Sequence, residues 1–269
     1  MKYLKYIIIL ISIDSYAQFG DSGKISDPQD YSEMIDYVNN PDQDDTLCLA
    51  DIKRAKEDLE KGKVVFTQTM GFLFGHIRYE NELRQLCRKN GFYYSVDMIS
   101  DVVFEGQTQG CYGAYMDNIL IEKFGTGFKE KLRAKADSLF LAKANTQNKT
   151  VQYWDCDERP RLPNEVKRTD DYLTTIKVNK LDIEKDESAY GGWPFFDLGF
   201  IVEKDSTISG FYISNFVPHL DKNEKFKTDL FKLAVQELNE NYSKWVPGTI
   251  KGIPVRTDNN VRIFFEKEE

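Results

Sequence analysis

Phe196-Asp197-Leu198-Gly199-Phe200-Ile201-Val202-Glu203 decides the fold of the C-terminal part of this 269-residue chain. Phe196, Leu198, Phe200 and Val202 fall on every second position, so a pleated strand places all four on one face, with Asp197, Gly199 and Glu203 opposite. Lys204, Asp205 and Ser206 supply turn chemistry, and Ile208 to Phe216 reads as the returning strand, with Phe211 and Ile213 alternating against Tyr212 and Ser214. Ile208 is out of phase, which predicts a bulge nearby.

From Asp221 the period changes. Phe226, Leu230, Ala234 and Leu238, flanked by Phe231 and Val235, recur at helical spacing, and Asp221 with Glu224 has the form of a capping box. Trp245, Pro247 and Gly248 end the helix. Beyond Gly252, Ile253 and Pro254, the residues Val261, Ile263 and Phe265 alternate once more. The unit predicted is an antiparallel sheet with one long helix.

The string Ile201 to Ser209, this helix, Trp245-Val246-Pro247-Gly248, Gly252-Ile253-Pro254-Val255 and Val261-Arg262-Ile263-Phe264-Phe265 together resemble, in order and spacing, the C-terminal domain of TonB-type proteins, over about the last quarter of the chain. Where that family has Gly after the turn Asp, this chain has Ser206. In the family the domain docks on outer-membrane transporters by pairing a sheet edge with an extended peptide. The resemblance implies that Val261, Arg262, Ile263, Phe264 and Phe265 form a partner-binding edge strand, and that Trp245, Pro247, Gly248, Gly252 and Pro254 are motif residues. The alternative for Val261 to Glu266 is a closing strand of the core.

At the other end, Lys2 and Lys5, the apolar run Tyr6 to Ile13 and Ser15-Tyr16-Ala17 before Gln18 have the layout of a cleaved secretory signal. The run is less than half of the roughly 20 residues that a membrane span needs. The alternative is an uncleaved, buried N-terminal strand. The expectation is an exported protein starting near Gln18, with no membrane span after cleavage. Residues 18–45, rich in Asp, Asn, Ser and Pro, read as a flexible arm with room for a short helix. The composition, 41% hydrophobic and 13% aromatic, is that of a chain able to bury a core. A net charge of −8 argues against nucleic-acid partners and anionic membrane surfaces.

Residues 46–150 read as a mainly helical α+β domain of no recognisable family. Leu47, Cys48, Ile52, Ala55 and Leu59 make a helical stripe that stops at Gly62. Val64 to Phe74 and Phe92 to Phe104 are strand-forming. Tyr79, Leu83, Leu86 and Cys87 share a helical face between them, and Gly110 to Phe124 and Gly127 to Lys143 read as two further helices. Residues 151–170 read as a linker, and 171–269 as the second domain. Tyr172 to Ile183 is an additional strand whose polarity suits a sheet edge.

Four cysteines, Cys48, Cys87, Cys111 and Cys156, permit two disulfides in an exported chain. The helical faces of Cys48 and Cys87 make them the first pair to expect, leaving Cys111 with Cys156; four buried thiols are the alternative. Their spacing is not that of a zinc site. Cys111, at a helix start, would be a nucleophile with His76 as base, weighed against a packed or disulfide-bonded Cys. Asp155, Asp157 and Glu158 lack the pattern of a calcium loop and read as solvated linker charges. Gly191 to Phe196 offers an aromatic ligand surface or simply an entry into a buried strand, and His219 reads as a loop residue. No phosphate loop, dinucleotide fingerprint, serine elbow or zinc-protease helix is present.

The sequence therefore predicts an α+β protein of a Gram-negative envelope, located in the periplasm and possessing no cofactor, metal or catalytic residues. Its expected work is non-enzymatic binding of an envelope or outer-membrane protein by strand addition, in connection with outer-membrane transport. The alternative is a periplasmic enzyme or small-ligand binder whose activity lies in the middle domain.

Overall fold

The computed structural model describes residues 28–71, 76–100, 102, 104–166 and 171–268. The expected signal segment, Met1–Ala17, and the first part of the expected arm lie outside the described residues. In chain order the elements are α1 (Pro28–Tyr37), α2 (Thr46–Glu60), β1 (Val65–Gly71), α3 (Glu80–Lys89), β2 (Tyr93–Ile99), α4 (Cys111–Phe124), α5 (Phe128–Thr146), β3 (Val151–Gln152), β4 (Tyr172–Val178), β5 (Phe195–Val202), β6 (Ile208–Val217), α6 (Lys227–Asn241), β7 (Thr249–Ile250), β8 (Ile253–Pro254) and β9 (Thr257–Lys267), with short 3-10 helices at Tyr153–Asp155 and Asp221–Phe226. The class is α+β.

The chain divides into two compact units at places other than those the composition suggests. One holds the described residues up to 71 together with those from 95 to 123; the other holds those from 76 to 94 and from 124 to 268. The region expected to be a single middle domain is thus shared between both units. Residues 151–166, expected as a linker, belong to the second: Val151 and Gln152 pair with Thr257 and Asp258, and Glu158 and Arg161 bridge to Thr249 and Val246. The physical reason is that Val151, buried among Phe140, Leu141, Ala144, Ile250 and Val255, has apolar surface to hide that a solvated linker would leave in water.

In the first unit, Val38, Cys48, Ile52, Cys111 and Ala114 form one apolar cluster, and Ala55, Val65, Tyr112 and Met116 a second. Met34 and Tyr37 of α1 pack against the first, and the Asn118 amide donates to the Ile35 carbonyl. The second half of the expected flexible arm is therefore docked, because its few apolar residues are spaced to meet one helical face. The α2 start is set by Asp45, whose carboxylate accepts N–H bonds from Cys48 and Thr108 and the Tyr37 hydroxyl. Burial opposes the charge of Asp45, but these bonds outweigh it and hold the carboxyl below its ordinary pKa. β1 and β2 pair as a two-stranded sheet.

The second unit is built on a five-stranded sheet in the order β3-β9-β5-β6, with β4 also on β9. Strands β5 and β9 run antiparallel, as do β5 and β6, whereas β3 and β4 run parallel to β9. The sheet is mixed rather than purely antiparallel, because the 78 residues between β4 and β9 provide the long return that parallel neighbours need. α6 buries Leu230, Ala234 and Leu238 against Phe196, Leu198, Phe200, Val202, Val261, Ile263 and Phe265. Each such large side chain contributes about 1.5–3 kcal/mol on leaving water.

Asp221 and Glu224 do not form the expected capping box: they lie in the 3-10 turn, and α6 starts only at Lys227. The buried residue of that turn is Asn223, which accepts the Glu184 N–H and donates to the carbonyls of Glu184 and Pro218. It closes the long loop before β5 onto the turn after β6.

The β5–β6 turn closes through Glu203 N–H to Thr207 O at 2.8 Å and Ser206 N–H to Glu203 O at 3.1 Å. Ser206 has φ +72°, a left-handed conformation costly to a residue with a Cβ. Ser206→Gly is expected to raise stability by about 0.5–1 kcal/mol after the extra entropy of Gly is counted. A lower denaturation midpoint for the variant would contradict this account of the turn.

Candidate functional site

The expected docking edge is not an edge. Residues 257–264 of β9 pair with 195–202 of β5, and Arg262 to Lys267 pair with Tyr172 to Val178 of β4 on the other side. Val261, Ile263 and Phe265 are fully buried. Arg262 donates to Asp197 at 2.8 Å, and Phe264 packs against Phe195 and Tyr172. β9 is interior because β4 pairs with it to bury Val178 and to pack Leu173 and Ile176 against the core. The strand expected over 172–183 does take an edge position, though it ends at Val178, and its pairing makes β9 central.

A second and longer open edge lies across the sheet from β4. β6 pairs with β5 on one side, and among the described residues no strand pairs with the other. Its ten residues, Ile208 to Val217, include no charged residue and no Pro, the two substitutions that most simply keep an edge from pairing with another chain. Its edge device is bulging. Two register shifts against β5, between Asp197 and Leu198 and between Gly199 and Ile201, each place one extra residue on β6. The bulge predicted from Ile208 is the second of these. Tyr212, Ser214, Asn215 and Gly210 are exposed along the strand.

β6 is held to its sheet by a bond that the sequence reading missed. A Cβ at Gly199 would stand 2.1 Å from Tyr212 Cζ, so the Tyr212 ring lies across the glycine. Beyond it, the Tyr212 hydroxyl donates to Asp258 of β9 at 2.8 Å, spanning three strands. Burial, then the bond to Asp258, pushes the Tyr212 pKa up to about 12, so the hydroxyl keeps its proton. The one signal for this contact is a glycine inside a strand pattern, which marks close approach. Asn215 likewise donates to Asp197, which also holds Arg262.

The motif residues have structural roles. Trp245 is buried edge-on to Phe200, and its indole N–H donates to Tyr242 O at 2.8 Å. A Cβ on Gly248 would meet Cys156 Sγ and Thr257 Oγ1 at 2.8 Å. Lys251 and Gly252, with φ of +52° and +72°, form the two-residue turn between β7 and β8, in which Thr249 pairs with Pro254. Pro247 follows Val246, whose N–H donates to Arg161 O.

The cysteines pair differently from the expectation. Cys48 and Cys111 form a disulfide, and Cys87 and Cys156 are free. α2 and α4 bring their first turns together, which the helical face of Cys48 alone does not reveal. Cys111 is thus no thiolate nucleophile, and His76 bonds Asp155 at 2.8 Å instead. Burial pushes the thiols of Cys87 and Cys156 up to about 11, so both are protonated at neutral pH and poorly reactive.

Asp155 and Asp157 are not solvated linker charges. Arg78 makes a two-point bond to Asp137 at 2.7 and 3.1 Å and donates to Asp155 O and to Asp157. Asp157 also accepts the Lys251 N–H at 2.7 Å. This cluster ties α5, the 155–157 turn and the β7–β8 turn together. Glu158 contributes through its backbone, exchanging bonds with Thr249. In the Gly191 to Phe196 stretch, Phe196 enters the core and Phe195 packs beside His219, whose φ is +57°.

Among the described residues, no group of three His, Cys, Asp or Glu gathers as a metal site, and no helix is long and apolar enough to cross a membrane. No family model, curated protein or solved structure matches this chain.

Proposed function

We propose that this is an exported cell-envelope protein whose second unit recruits an extended segment of an envelope or outer-membrane protein by strand addition along β6. The observation that carries the reading is a ten-residue edge strand free of charge and Pro, with one side unpaired among the described residues. Such an edge offers main-chain donors and acceptors to an incoming strand, and its alternate side chains offer pockets for specificity. The order of hairpin, helix, turn and final strand is that of the resemblance to TonB C-terminal domains, with the docking edge moved from β9 to β6. The Cys48–Cys111 disulfide supports an oxidising compartment such as the periplasm.

The test places a photo-crosslinking residue at Ser214 and maps the products by mass spectrometry in a Gram-negative envelope. Cross-links to consecutive residues of one partner segment are expected. Ser214→Lys, which adds a charge to the edge, should reduce capture of that segment about tenfold or more while leaving the fold intact. Undiminished capture by a folded Ser214→Lys protein, or cross-links only between copies of this chain, would refute the reading.

A further inference from the structure

A depression of about 430 Å³ lies beside the C-terminal end of α3, lined by Arg84, Arg88, Gly91, Phe92, Tyr93 and Tyr94. Arg84 and Arg88 are four residues apart and so share one side of the helix. Gly91, at φ +79°, turns the chain so that Phe92 to Tyr94 come back past the helix end. Phe92 is buried and set edge-on to Phe124 and Phe128 at 5.2 and 5.7 Å, which fixes one aromatic wall. Tyr93, at 57% exposure, presents its ring to solvent.

The two guanidinium groups are not equivalent. Arg84 bonds Glu80 at 2.7 Å and lies 4.4 Å from the centre of the Tyr94 ring, so its charge is largely answered. Arg88 makes no ion pair among the described residues. The depression therefore combines one available planar cation with aromatic walls, in a chain whose net charge is −8. One guanidinium matches a single negative charge rather than a phosphate dianion, and its fork fits the two oxygens of a carboxylate.

We propose that this depression binds a carboxylate carried next to an aromatic ring, with Arg88 taking the carboxylate and the ring packing on Tyr93 and Phe92. The same chemistry occurs in a free aromatic acid and in the C-terminal Phe or Tyr of a peptide. The site is independent of the β6 edge.

The experiment titrates the full chain with phenylacetate and with an acetylated tripeptide ending in Phe, following binding by calorimetry and by backbone NMR shifts. Saturable binding at up to about 10 mM is expected, as suits a ligand of about ten heavy atoms. Arg88→Gln, at an exposed position, should weaken it about tenfold or more with an unchanged circular dichroism spectrum. Binding of phenylacetate supports a free acid as the source, and binding of the peptide alone supports a chain terminus. No saturation with either ligand, equal binding of 2-phenylethanol or of acetate, or an unaffected Arg88→Gln protein would overturn the proposal.

Discussion

Replacing both Cys48 and Cys111 by Ala is expected to lower the stability of the first unit by about 4 kcal/mol, the chain-entropy contribution of a cross-link across a separation of this length. The two residues are 63 apart in sequence, and their bond joins the first turns of α2 and α4. The same place is held by Asp45, which caps α2 and accepts the Thr108 N–H, and by Gln107, which accepts from Leu47 N–H and donates to Asp44 O. Loss of the cross-link therefore releases a polar network as well as an entropic constraint. Denaturant unfolding with and without reductant measures the effect. Thiol titration of the denatured, unreduced protein should find two free groups, those of Cys87 and Cys156. A double Ala variant as stable as the oxidised parent, or four free thiols, would contradict this assignment.

Asp137→Ala should destabilise the second unit by about 3 kcal/mol, because it leaves a largely buried guanidinium short of its two-point partner. Arg78 and Asp137 have side-chain exposures of 16% and 9%, so water recovers little of what is lost. Asp157 and the Asp155 carbonyl remain on Arg78, which keeps the cost at the lower end for a broken buried pair. A double variant, Arg78→Met with Asp137→Leu, should recover most of the loss, since an apolar pair of similar volume avoids desolvating both charges.

The pair also gives stability a pH dependence of definite sign. Burial by itself would raise the Asp137 pKa, but the bonds and charges of Arg78 and Lys251 outweigh it and hold the carboxyl below its ordinary value. A lowered folded pKa contributes stability that is present above the unfolded value of about 3.9 and is lost as pH falls through the folded one. Unfolding measured from neutral to acid pH should show a shallower acid loss for Asp137→Ala than for the parent. Equal acid slopes would place the linkage on other carboxylates.

Most elements were legible because their signal is local. The alternation of Phe196, Leu198, Phe200 and Val202 reports which face of β5 is buried, and the spacing of Leu230, Ala234 and Leu238 does the same for α6. Turn chemistry at Lys204 to Ser206 located the β5–β6 hairpin within a residue or two, whereas the β7–β8 hairpin at Lys251-Gly252 had no such reading. Strand order left no such trace. Val261, Ile263 and Phe265 alternate equally well in an edge strand with one buried face and in a central one, since the pattern reports the face and not the neighbours in the sheet plane.

The sequence pattern therefore points to β9 as the edge, whereas of the two it is the strand also marked at Ile208 to Phe216 that has an open side. Its distinguishing feature, ten residues without charge or Pro, becomes informative only once its outer side is known to be unpaired. The cysteines follow the same logic. Their number and an exported context permit disulfides, but which pair forms depends on which helix ends meet, and Cys48 meets Cys111 through the packing of α2 and α4.

By itself the sequence determined the class, the approximate positions of the longer helices and strands, and which face of each is apolar, because these depend on neighbours one to four residues apart. The tertiary structure alone decided that β4 covers β9, that β6 has an open outer side, that residues 151–166 are pinned to the second unit through Arg78 and β9, and that α3 and the following aromatics line one depression. Those outcomes join residues from about ten to over a hundred positions apart. They are set by competition among buried surfaces for one another, which a periodic pattern in one segment does not record.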